Sequence, residues 1–133
     1  MATTPYIEGL GRRKTSTARV RLTPAKETSI EVNGKALEAY FPVLAHQKDI
    51  MSVLETADAG IEHYTITAKV LGGGTSSQAE SIRLGIARAL VKEKAERRGV
   101  LKVLGFLKRD QRSVERKKPG LRKARKRAAW SKR

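Results

Sequence analysis

The last 29 residues, 105–133, hold 13 Lys and Arg against two acids, Asp110 and Glu115, a net of +11. A compact element cannot be built from such a run. Its apolar residues are Phe106, Leu107, Val114, Leu121, three alanines and Trp130, too little surface to offset the entropy of ordering the backbone. The segment is expected to be an extended basic arm, disordered alone and ordered on a polyanionic partner. Residues 1–104 hold 16 Lys and Arg and 11 acids, and carry the patterning of a folded body. The chain thus divides into a globular body, 1–104, and an arm, 105–133.

That body is small. At 133 residues the whole chain suits one domain. Without cysteine it has no disulfide, thiolate metal site or cysteine nucleophile. The start, Met-Ala-Thr-Thr-Pro-Tyr-Ile-Glu-Gly-Leu, has neither the basic n-region nor the apolar h-region of a signal peptide. Apolar runs fall far short of the ~20 residues that span a bilayer. These features lead us to expect an intracellular protein with no membrane partner, and a net charge of +16 points to a polyanion.

Within the body, Ala18, Val20 and Leu22 alternate with Arg19 and Arg21, the period of a half-buried strand. Thr28 to Val32 is a second β-branched run ending in the turn dipeptide Asn33-Gly34. Leu44, Gln47, Ile50/Met51, Leu54 and Ala57 follow helical spacing, between Pro42 and Asp58-Ala59-Gly60. Tyr64, Ile66, Ala68 and Val70 alternate with His63, Thr65, Thr67 and Lys69 in the clearest strand. Gly72-Gly73-Gly74 breaks it, and Thr75-Ser76-Ser77-Gln78 reads as a capping box. The helix it opens has a buried stripe of Ala79, Ile82, Ile86, Ala89 and Leu90, with Gly99 as its stop. The class predicted is α+β, helices against one small sheet.

Catalytic chemistry finds no support. Gly72-Gly73-Gly74 lies between strand and helix, where glycines let a backbone approach a phosphate. Yet no lysine follows Gly74, and Ser77 breaks the dinucleotide pattern. A tight turn is the plain reading, and an RNA phosphate fits the loop better than a nucleotide. His46 and His63 have no partner at ligand spacing, so no metal or cofactor is expected.

Two clusters point to phosphates. Arg12, Arg13, Lys14, Arg19 and Arg21 place five cations in ten positions with no acid between Glu8 and Glu27; a charge-protected edge strand is the alternative. From Arg112 to Arg133 come 11 Lys and Arg and one acid, which predicts steeply salt-dependent binding. Fully extended, these 22 residues reach at most ~70 Å. Trp130 has no core to fill there and suits stacking on a base or packing in an RNA groove.

Taken in order, the segments are familiar. Gly9-Leu10-Gly11-Arg12-Arg13-Lys14, Ala18-Arg19-Val20-Arg21-Leu22, Val32-Asn33-Gly34 and Tyr40-Phe41-Pro42 come first. Gly72-Gly73-Gly74, Gln78-Ala79, the run from Ile82 to Leu90 and Arg109-Asp110 follow. Val114-Glu115-Arg116-Lys117-Lys118-Pro119-Gly120-Leu121-Arg122-Lys123-Ala124-Arg125 and Ser131-Lys132-Arg133 close the chain. From about Tyr6 to Arg133 it resembles the bacterial ribosomal protein S-nine family of the small subunit.

The resemblance implies a small mixed four-stranded sheet backed by helices, like the second domain of ribosomal protein S-five, with a long basic arm. It implies a non-enzymatic structural constituent of a cytoplasmic (or organellar) ribosome, bound to small-subunit rRNA in the head beside neighbouring ribosomal proteins. The charge pattern and the resemblance together lead us to expect rRNA contacts from Arg12, Arg13, Lys14, Arg19, Arg21, Gly72, Gly73 and Gly74 in the body. In the arm they come from Arg109, Arg112, Arg116, Lys117, Lys118, Arg122, Lys123, Arg125, Lys126, Arg127 and Trp130. Ser131, Lys132 and Arg133 are expected to approach P-site tRNA. The family usually has Gln-Phe before Ser-Lys-Arg, whereas this chain has Ala129-Trp130, keeping an aromatic and losing an amide. A metabolite kinase with a glycine-rich loop and a nucleic-acid compactor outside the ribosome are the competing classes; ATPase activity would mark the first, and co-sedimentation with DNA the second.

Overall fold

The computed structural model describes residues 5–56 and 63–130. Two antiparallel strands, β1 (Ile7–Arg13) and β2 (Ser16–Ala25), open the fold. Then come β3 (Ser29–Val32), the two-residue β4 (Lys35–Ala36), helix α1 (Leu37–Tyr40) and helix α2 (Leu44–Thr56). The chain returns as β5 (His63–Leu71), followed by the long α3 (Thr75–Glu93) and the short α4 (Arg97–Val103). Strand order is β1-β2-β5-β3-β4. β5 is antiparallel to β2 and parallel to β3, so the sheet is mixed, as expected. It has five strands where four were expected, because Asn33-Gly34 folds β4 back as a brief hairpin on β3.

Local chemistry explains these elements. Asn33 and Gly34 both take positive φ (51° and 80°), the geometry that two-residue hairpins require. The Asn33 side chain then imitates a strand: its Oδ1 accepts from Val70 N at 2.9 Å and its Nδ2 donates to Val70 O at 3.0 Å. Inward residues of the three central strands are fully buried: Ala18, Val20 and Leu22; Val32; Ile66. They meet Ile82, Ile86, Ala89 and Leu90 of α3, and Ile50 and Val53 of α2. Each large apolar side chain so buried contributes about 1.5–3 kcal/mol.

Some sequence expectations are corrected. α3 starts one residue earlier in its capping logic: Gly74 is the N-cap, and its N–H donates to Ser77 Oγ at 3.0 Å. It ends at Glu93, not at Gly99, which lies inside α4. The turn is fixed by buried polar groups. Arg97 Nη1 donates to Glu93 at 2.8 Å and Nη2 to the Tyr64 hydroxyl at 3.1 Å, while that hydroxyl donates to Glu93. Leu44, where the helical spacing begins, is the first residue of α2 and is 60% exposed. Ala57 and Asp58-Ala59-Gly60 lie outside the described residues.

Candidate nucleic-acid interface

Gly9 and Gly11 make β1 bare on its inner face, and α3 lies directly on it. A Cβ at Gly11 would sit 1.7 Å from Ser81 O, and one at Gly9 2.1 Å from Gly85 O. The contact brings the start of α3 beside the turn between β1 and β2. That turn is Lys14-Thr15, with Lys14 at φ 52°. The glycine loop packs against it: a Cβ at Gly72, which has φ 76°, would meet Thr15 O at 2.6 Å. Gly73 is equally confined, by Ser77 and Ser16, whereas Gly74 faces open space.

The root of the arm reaches the same end of the molecule. Phe106 and Leu107 pack on the core, and Arg13 then takes hold of the chain. Its Nε donates to Glu80 of α3 at 2.5 Å and its Nη1 to the Arg112 carbonyl at 2.5 Å. Nη2 lies 3.4 Å from Asp110. Side-chain and backbone hydrogen bonds from Arg112, with the charges of Arg112 and Arg13, hold the Asp110 carboxyl far below the usual carboxylate range. Asp110 in turn raises the Arg112 guanidinium. Arg13, Lys14, Arg112, Ser113 and Val114 line a shallow depression there.

From Ser113 to Trp130, the hydrogen bonds among the described residues are local to the arm. Pro119 and Gly120 (φ 80°) form a turn in which Leu121 N donates to Lys118 O at 3.2 Å, a type II arrangement. Arg122 N donates to Lys126 O at 2.8 Å, and Leu121 bridges Arg127. Glu115 accepts from Lys118 and, at 2.9 Å, from Arg125.

The predicted cations therefore fall into distinct environments. Arg12 and Lys14 are exposed with no ion pair among the described residues, as are Arg109, Arg116, Lys117, Arg122, Lys123, Lys126 and Arg127. Arg13 differs: it is 8% exposed and wholly engaged by the chain itself. Arg19 is exposed but donates to Glu8, which raises Arg19 and lowers the glutamate. Arg21 stacks over the Tyr6 ring at 4.5 Å. Trp130 is 85% exposed; Ser131, Lys132 and Arg133 lie outside the described residues. Sequence reasoning missed Glu80 and Asp110, the anchors of Arg13, because a lone carboxylate carries no spacing signal.

A one-sided mixed sheet, helices on its inner face and a basic extension rooted at one end define a class: small basic α+β proteins with a charged extension. The chain belongs within it to the family described as ribosomal protein S9/S16, whose model matches residues 11–133. It is 50% identical over 127 residues to small ribosomal subunit protein uS9 of Mycobacterium ulcerans (strain Agy99), covering 96% of this chain and 82% of the relative. Against the same-named protein of Mycobacterium tuberculosis (strain ATCC 25618 / H37Rv) it is 50% identical over 96% of this chain and 83% of the relative. For Rhodococcus opacus (strain B4) the identity is 49%, over 96% and 74%. The chain is thus a member of a small-subunit ribosomal protein family with a structural role.

Proposed function

We propose that the chain binds small-subunit rRNA in the ribosomal head, next to other ribosomal proteins, and that its arm reaches P-site tRNA. In this reading it is a non-enzymatic component of cytoplasmic ribosomes. The observation that carries it is the convergence of three features at one end of the sheet: the Lys14 turn, the glycine loop and the root of a cationic arm. Arg12, Lys14 and the backbone of Gly72–Gly74 meet phosphates, while Arg13 serves by holding the arm root. Arg19 and Arg21 add charge from the adjoining strand.

Lys117 to Arg127 thread between RNA strands and neutralise their repulsion, with Arg109, Arg112 and Arg116 at the entrance and Trp130 against a base. The arm adopts its full path only on RNA; the isolated protein retains local turns alone. Terminal Lys132 and Arg133, with Ser131, donate charge-assisted hydrogen bonds to tRNA phosphates. Removing Ser131–Arg133 is expected to weaken P-site tRNA retention and leave subunit assembly intact. Unchanged tRNA affinity in ribosomes carrying that truncation rejects the tRNA contact. Crosslinks to rRNA from the body but none from Lys117 onward reject the threading.

A further inference from the structure

All four helices lie on one side of the sheet, and the other side has no covering element among the described residues. Its side chains form rows across the strands. Arg12, Thr17 and Leu71 make one row; Leu10, Arg19 and Lys69 the next; Glu8, Arg21, Thr67 and Glu31 a third. The first two rows contain three cations and no carboxylate. Arg19 and Lys69 stand directly opposite each other, and like charges so paired destabilise a sheet. Arg19 relieves this by turning to Glu8. Lys69 has no ion pair among the described residues and lines a groove together with Arg19, Arg21, Thr67, Asn33, Gly34 and a single carboxylate, Glu31.

We infer that the RNA contact extends across this helix-free face, where Lys69 joins Arg12 in binding backbone phosphates and Thr17 and Thr67 present hydroxyls. The inference rests on the RNA-binding reading and adds a surface separate from the arm. Three observations select RNA as occupant. Uncompensated charge is concentrated in the rows nearest the β1–β2 turn. Those rows run without a break into Gly72, where Leu71 ends β5, so the face continues the interface already described. Hydroxyls interleaved with cations suit phosphate and ribose contacts, whereas a second copy of this face would be repelled by its charge.

The test is binding of the full chain to small-subunit rRNA across a salt series. Replacing Lys69→Ala should make the slope of log K against log salt shallower by about one, with Lys69→Arg close to the parent. A parallel variant, Lys123→Ala with Arg125→Ala and Lys126→Ala, reports on the arm. If it flattens the slope while Lys69→Ala leaves slope and affinity unchanged, the sheet-face inference is overturned and the RNA-binding reading stands. If neither does, both fall.

Because the chain has no cysteine, Thr67→Cys gives a unique thiol for a second readout. Its alkylation by a maleimide should slow at least tenfold when rRNA alone is added. An unchanged rate, or protection only after the other subunit proteins are added, overturns the inference, the latter in favour of an acidic protein surface.

Discussion

Arg13 looks in sequence like the middle of three equivalent cations, yet its neighbours face solvent and it does not. Strand alternation decides this: Arg12 points to the open face and Arg13 to α3. Its planar fork serves Glu80, Asp110 and the Arg112 carbonyl at once, a geometry that an ammonium cannot reproduce. Arg13→Ala is expected to lower stability by about 2 kcal/mol, since its partners remain partly exposed. Amide exchange near Arg112 should accelerate with it, and Arg13→Lys should restore only part of the protection. Asp110 supplies a pH test. Its folded pKa is depressed, so its contribution is present above the unfolded value of ~3.9 and is lost as pH falls through the folded one. Carboxyl NMR should show it ionised well below pH 4, and Arg112→Gln should shift it upward more than Arg13→Gln. Lys14 is strained at positive φ. Lys14→Gly should raise stability by about 0.5–1 kcal/mol in thermal unfolding while weakening RNA binding.

At the scale of elements, α3 against β1 is the contact on which the rest depends. Gly9, Gly11 and Gly85 remove the side chains that would separate them. Gly11→Ala should cost about 3 kcal/mol or more in chemical denaturation, because the obstructing atoms are backbone. α3 also protects the sheet's edge: Arg88 and Lys92 donate to the Leu10 and Glu8 carbonyls, both at 2.8 Å, as edge strands require. The same glycines explain what the sequence concealed. β2, β5 and α3 were legible because large apolar residues recur there with clear periods. β1 was not, since alternate glycines on a strand's buried face resemble a loop. α4 was hidden for a different reason: its position follows from the buried Tyr64–Glu93–Arg97 contact, which joins residues 33 apart and has no local signature. Among the site residues, the cations were readable from charge alone. Which of them stay available was not, because pairing with Glu8, Glu80, Asp110 and Glu115 is decided by the fold.

For the molecule as a whole, body and arm divide the electrostatic task unequally. Residues 113–133 contain ten Lys and Arg and one acid. If half of them meet phosphates, deleting this segment should flatten the salt dependence of rRNA binding by about four in log–log slope. Filter binding over a range of ionic strengths measures it, and a residual slope should persist from the body. Arg13's hold on the Arg112 carbonyl has a further consequence. In the RNA-binding reading, an extension that leaves a fixed anchor in a set direction is presented to one side of the body and not to all sides equally. Its local concentration on that side is then expected to be higher before any new bond forms, so that capture would depend on aim as much as on charge.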